Sequence, residues 1–140
     1  MKRILLVDDD RDILGSTAEL LRAFGYYVAT CTDAERVLET IRNQRPDVVL
    51  HDVRMPGLDL RTQLRSIRDD PDLRHIPIVL FTAVLAAKEL AEEVGADDAI
   101  EKPFESETLR RVLRDCETRA RTGMKAVAPA ERRVDSKLRE

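Results

Sequence analysis

The chain has 140 residues, 43% hydrophobic and 36% charged, with a formal net charge of −3, which suits one domain able to bury a core. No apolar run approaches the ~20 residues needed to cross a bilayer. Lys2 and Arg3 precede Ile4-Leu5-Leu6-Val7 as in a signal peptide, but the apolar stretch stops at Asp8-Asp9-Asp10, so none is expected. Cys31 and Cys116 lie far apart with no histidine at ligand spacing; this argues against a disulfide framework and a zinc site and for a reducing, cytoplasmic setting. Residues 1–104 carry 14 basic and 20 acidic side chains, residues 105–140 carry 10 and 7. The basic end mixes in acids and lacks aromatics to stack on bases, which argues against a nucleic-acid partner.

In chain order, a first apolar run at residues 4–7 reads as a strand. Ile13, Leu14, Thr17, Leu20, Leu21 and Phe24 then fall on one helical face that ends at Gly25. A second strand is predicted at residues 26–29, followed by a helix carrying Ala34, Val37, Leu38 and Ile41 that stops before Pro46. Residues 48–50 give a third strand; Leu60, Leu64 and Ile67 give a helix broken at Asp69-Asp70-Pro71. A fourth strand at 76–81 precedes a helix with Leu85, Leu90, Ala91 and Val94, closed by Gly95. Ala99 and Ile100 make the last strand, and Leu109, Val112, Leu113 and Cys116 the last helix. Strands alternating with amphipathic helices predict an α/β fold, a doubly wound five-stranded parallel sheet with five helices covering both faces. The domain is expected to span residues 1–121. Residues 122–140, where only Val134 and Leu138 hint at periodicity, read as a polar, disordered tail.

In such a sheet, chemistry gathers beyond the carboxyl ends of the strands. Asp8, Asp9 and Asp10 follow the first strand, Asp52 closes the third, Thr82 and Ala83 the fourth, and Lys102 follows the fifth. Clustered carboxylates repel until one protonates or a cation joins them. An all-oxygen donor set favours a hard ion such as Mg²⁺. Lysine and threonine beside it supply a counter-charge and a donor for a phosphoryl group, and an aspartate can itself be the nucleophile.

The motifs Leu6-Val7-Asp8-Asp9-Asp10, Asp52-Val53-Arg54-Met55-Pro56-Gly57, Leu80-Phe81-Thr82-Ala83, Gly95-Ala96-Asp97-Asp98 and Lys102-Pro103-Phe104 resemble those of the bacterial two-component response-regulator receiver domain. The resemblance covers residues 2 to about 120 and implies a flavodoxin-like fold. It implies that Asp52 accepts a phosphoryl group from a histidine kinase or histidine phosphotransfer protein. Asp9 would ligate Mg²⁺ directly, Asp8 through water, and Asp52 and the main-chain carbonyl of Arg54 would complete the protein ligands. Thr82 and Lys102 would each engage a phosphoryl oxygen, Ala83 would leave room for the donor, and Lys102-Pro103 would be cis.

Two positions depart from the family pattern. Ala99 stands where an inward-turning aromatic is usual, and Leu60 where a second glycine is usual. His51 precedes Asp52 on the same strand, so its side chain should face away from the site, as a neutral core histidine. The expected function is a stand-alone receiver, not an enzyme in the usual sense, that signals by contact with a downstream protein. The alternatives are a phosphorelay intermediate or phosphate sink and, less favoured because Arg54 replaces a second aspartate, a Mg²⁺-dependent phosphohydrolase. Asp97 and Asp98 with Arg110, Arg111 and Arg114 also suggest a homodimer through the face of the fourth helix, fifth strand and fifth helix.

Overall fold

The computed structural model describes residues 2–121. Strands and helices alternate as β1 (Arg3–Val7), α1 (Arg11–Ala23), β2 (Tyr27–Cys31), a 3-10 turn (Ala34–Arg36) leading into α2 (Val37–Gln44), β3 (Val48–His51), α3 (Leu60–Asp69), β4 (Ile78–Thr82), α4 (Ala87–Val94), β5 (Asp98–Glu101) and α5 (Ser106–Arg121). The strands form one parallel sheet in the order β2-β1-β3-β4-β5, the doubly wound arrangement that the alternation predicts. The tail expected at residues 122–140, with Val134 and Leu138, lies outside the described residues.

Strand pleating splits the apolar residues between two cores. Leu5, Val7, Val49, Ile78 and Leu80 pack with Val37, Ile41, Leu64, Ile67, Ala87 and Ala91 on the face covered by α2, α3 and α4. Ile4, Leu6, Val48, Leu50, Val79, Phe81 and Ile100 pack with Leu14, Leu21, Leu109 and Leu113 beneath α1 and α5. Because both faces are covered, β4 is buried at every position, and its sequence runs apolar without alternation from Ile78 to Phe81. Cys31 and Cys116 belong to opposite cores, so the sheet separates the two thiols. No helix among the described residues is long and apolar enough to cross a membrane.

Helix ends follow local chemistry. The Asp10 carboxylate accepts the Asp12 and Ile13 N–H groups at the start of α1, and Asp59 caps α3 through Thr62 N–H. Gly95 ends α4 in the left-handed region at φ 88. Leu60 is therefore the first residue of a capped helix. A hydrogen bond from Leu58 N–H to the Met55 carbonyl, with Gly57 at φ 77, gives Met55-Pro56-Gly57-Leu58 the form of a type II turn. This turn leads the chain away from β3.

Some boundaries move. β2 runs on to Cys31, and β4 starts at Ile78, with the buried Ile76 held in the preceding loop. Leu85 is not part of α4: it is 84% exposed, because Ala86 adopts a left-handed conformation at φ 61 and delays the helix to Ala87.

One side chain ties the bottom of this layer together. The Arg68 guanidinium on α3 donates to the carbonyls of Gly95, Arg74 and Ile76 and to Asp97 Oδ2. Asp97 Oδ2 also accepts the Ile78 N–H that opens β4. Arg68→Leu removes a donor from several carbonyls at once, so it should cost about 2–3 kcal/mol. Thermal unfolding of the variant measures the loss.

Candidate functional site

Three of the candidate residues are fixed by a main-chain bond to a neighbouring strand. Asp8 N–H donates to the Cys31 carbonyl at 3.1 Å, Asp52 N–H to Val7 at 2.8 Å, and Lys102 N–H to Thr82 at 2.7 Å. The chain runs from β1 outward to β2 in one direction and through β3, β4 and β5 in the other. The crevice at that reversal, between the ends of β1 and β3, is where such sheets bind ligands. Asp8 and Asp52 stand on either side of it.

Carboxylate oxygens of Asp8, Asp9 and Asp52 all lie within 4.8 Å of one another. Asp8 and Asp52 are buried and Asp9 is exposed, so the cluster opens to solvent on the Asp9 side. Lys102 Nζ lies 2.8 Å from Asp8 Oδ2 and 3.8 Å from Asp52 Oδ1. The lysine head also sits 4.6 Å from the centre of the Phe81 ring, which packs edge-on against Phe104; the rings restrict the ammonium to the carboxylate side. Thr82 is buried, and its Oγ1 accepts the Val84 N–H at 3.0 Å, which leaves the hydroxyl proton available to donate. Ala83 is exposed beside it.

Burial raises the Asp52 carboxyl above its usual range, and the charge of Asp8 adds to this, while Lys102 and the Val53 and Arg54 N–H groups pull the other way. Desolvation and repulsion thus leave an acid with unmet demand for positive charge. The donor set that could meet it is oxygen only, three carboxylates on a partly open site, which fits a hard divalent cation such as Mg²⁺.

The structure brings Asp8, Asp9, Asp52, Thr82 and Lys102 together, with Arg54 exposed just beyond Asp52, and Lys102-Pro103 is cis. His51 faces the opposite core, fully buried, where desolvation lowers its pKa and keeps it neutral. The three aspartates that look alike in sequence have separate work. Asp10 caps α1 and is outside the carboxylate cluster, a role signalled by its place just before an apolar-periodic run. Asp8 is the closer partner of Lys102, which no spacing rule reveals. Beside the site, Ile13, Thr17, Leu20, Phe81, Lys102 and Phe104 help to line a mainly apolar cleft of about 640 Å³.

The acid–base residues expected to join two copies are largely satisfied within one. Asp97 binds Arg68 and Asp98 binds Lys88, while the Arg110 guanidinium lies 4.3 Å from the Phe24 ring, at the C-terminal end of α1. Only Arg111 and Arg114 remain exposed. Ala99 is buried against the α2–α3–α4 face and places no aromatic ring there.

A family model described as "Response regulator receiver domain" matches residues 4–114. The chain belongs to this family. The receiver is 41% identical over 117 residues to "Response regulator MprA" of Mycobacterium sp. (strain KMS), an alignment covering 80% of the chain and 49% of that relative. The chain thus spans about half the length of the curated relative. Among solved structures, chemotaxis response regulator CheY4 of Vibrio cholerae superposes with a TM-score of 0.75 at 30% identity, covering 83% of this chain and 98% of that one. The receiver domain of sensor histidine kinase PA1611 from Pseudomonas aeruginosa, with a magnesium ion coordinated in its active-site cleft, gives 0.73 at 32% identity, covering 81% and 95%. Receiver domains are signalling modules of two-component systems, and both structural relatives share the flavodoxin-like sheet described above.

The raised Asp52 pKa has a stability consequence of definite sign. As pH rises above the ordinary 3.8, the unfolded chain releases this proton first, so ionisation of Asp52 disfavours the fold. Without metal, Asp52→Asn should match the wild type most nearly below that pH. It should become the more stable protein as pH climbs, levelling off once the folded carboxyl has ionised. Thermal melts across a pH series check this; an Asn variant less stable than wild type at neutral pH contradicts it.

Proposed function

We propose that the receiver accepts a phosphoryl group on Asp52 from the phosphohistidine of a kinase or phosphotransfer protein, in a Mg²⁺-dependent reaction, and passes the signal on by protein contact in the cytoplasm. The observation that carries this reading is the convergence of Asp8, Asp9 and Asp52 within 4.8 Å beside the Lys102 ammonium and the Thr82 hydroxyl. An Asp52 oxygen attacks phosphorus as the bond to the donor imidazole nitrogen breaks, and the released imidazole takes its proton from solvent. In this reading the protein turns over no substrate beyond this transfer and the slow hydrolysis that resets it, and it is not an enzyme in the usual sense.

Asp9 and Asp52, with Asp8 through water and the Arg54 main-chain carbonyl, would hold Mg²⁺. When bound, the ion would supply positive charge to offset that of the carboxylates and of an incoming phosphoryl group. Lys102 is already poised over the carboxylates, and shifting from Asp8 toward a phosphoryl oxygen exchanges one charge-assisted bond for another. Thr82 donates its hydroxyl proton to a second oxygen. The exposed Ala83 leaves the approach clear. The apolar cleft beside Lys102, between α1 and the segment after β5, offers the donor protein a surface next to the reacting atoms.

A second reading, a phosphorelay intermediate or phosphate sink, is favoured by one feature. With Ala99 small and buried, no ring on β5 can swing in behind Thr82 to transmit its movement.

With Mg²⁺ and acetyl phosphate the chain should gain one alkali-labile phosphoryl group, and Asp52→Asn should abolish it. Intact-mass measurement decides, and label that persists in the variant contradicts the assignment.

The aspartates should separate cleanly in metal binding. Asp9→Ala should lose most of the Mg²⁺-dependent rise in melting temperature. Asp10→Ala should cost about 1 kcal/mol as a lost helix cap yet keep that rise. Equal Mg²⁺ responses in both variants would overturn the ligand assignment.

A further inference from the structure

Among the described residues, His51 is the one histidine or acid buried completely in the core away from the reacting face, and its hydrogen bonds lead back to the phosphoacceptor. Its Nδ1 lies 2.6 Å from the Asp52 main-chain carbonyl. A carbonyl only accepts, so Nδ1 carries the proton and Nε2 is left as an acceptor. The Gln63 side-chain amide on α3 stands 3.5 Å from that Nε2 and 3.1 Å from the Ala34 carbonyl. Its two N–H groups therefore serve both. The bonds run in one direction, from Gln63 to His51 to the Asp52 carbonyl.

The peptide that receives this bond matters. The Asp52 carbonyl and the Val53 N–H belong to one planar unit and point opposite ways. Val53 N–H donates to Asp52 Oδ1 at 2.8 Å, the same oxygen that lies 3.8 Å from Lys102 Nζ. Rotating this peptide would break the His51 bond on one side and release the carboxylate on the other. Mere packing needs no imidazole here, since an apolar side chain would fill the same space without a buried polar atom to satisfy.

We propose that His51 is a positioning residue for phosphoryl transfer: held by Gln63, it locks the Asp52–Val53 peptide and so fixes the Asp52 carboxylate for attack. This rests on Asp52 being the acceptor. Its effect is on orientation, with the imidazole neutral throughout, and a small misplacement of a reacting group is costly in rate.

The test compares His51→Leu, which keeps bulk but loses the donor, with His51→Asn, whose side-chain N–H sits close to the position of Nδ1. Labelling by acetyl phosphate in Mg²⁺ should slow about tenfold in His51→Leu and return to within about threefold of wild type in His51→Asn. A role in packing alone predicts the reverse order, because leucine suits an apolar site better than asparagine. Wild-type labelling rate in folded His51→Leu, or no recovery in folded His51→Asn, overturns the proposal. Should His51→Leu not fold, ¹⁵N NMR of the wild-type imidazole decides. A proton on Nδ1 and none on Nε2 supports the chain of bonds, and the other tautomer or an imidazolium overturns it. Failure of the wild type itself to label at Asp52 would instead remove the functional reading on which this rests.

Discussion

Two carboxylates and one ammonium share a largely buried crevice, and most of the functional architecture answers to that arrangement. Asp8 and Asp52 project from adjacent parallel strands whose spacing the β1–β3 ladder dictates, so their mutual repulsion cannot be relaxed by moving apart. Lys102 is brought to them by β5, two strands beyond β3, and bonds Asp8 at 2.8 Å while leaving Asp52 at 3.8 Å. One cation between two buried anions leaves charge unbalanced, and in a poorly solvated site that imbalance is worth more than it would be in water. Burial, with the Asp8 charge adding to it, raises the Asp52 pKa even though Lys102 pulls the other way. A site in this condition is stabilised by a further cation, and under the proposed function its lysine contact is the one exchanged for a phosphoryl oxygen.

Rigidity around that charge cluster comes from the two cores. Burial of both sheet faces leaves the strand ends little freedom, and Asp8, Asp52 and Lys102 are each pinned by a main-chain bond to a neighbouring strand. The support also extends below the site, through the Arg68 guanidinium that joins α3 to the start of β4. By contrast, the segment after Thr82 is apolar and exposed at Leu85, and Ala86 is held in a left-handed conformation without a capping side chain. Such a conformation costs of order 1 kcal/mol in a residue with a Cβ. The strain lies a few residues after the Thr82 hydroxyl.

Much of this was legible in the sequence. The alternation of apolar runs and helical stripes gave five strands and five helices in the right order, because period and length separate the two kinds of element. The placement of Asp8, Asp52, Thr82 and Lys102 at strand ends followed from the same pattern, as did the burial of His51 on the opposite face, since strand side chains alternate. Helix stops at Gly25 and Gly95 were readable because both adopt positive φ, which glycine tolerates best.

What the sequence alone determined, then, was the order of elements and which residues stand at their ends, properties set by local periodicity and backbone preference. Tertiary structure decided the partnerships. Asp8, Asp9 and Asp10 are chemically identical neighbours, yet one pairs with Lys102, one faces solvent and one caps a helix, according to the direction the chain takes as it leaves β1. Asp97, Asp98 and Arg110 read as charges for pairing with a second copy, but Arg68, Lys88 and the Phe24 ring meet them, and two of these three partners are far off in sequence. Leu85 fits a helical stripe and is nevertheless exposed, because the backbone of Ala86 breaks the period one residue later. Side-chain partnerships depend on the separation and orientation of elements distant along the chain, and no local pattern carries that information.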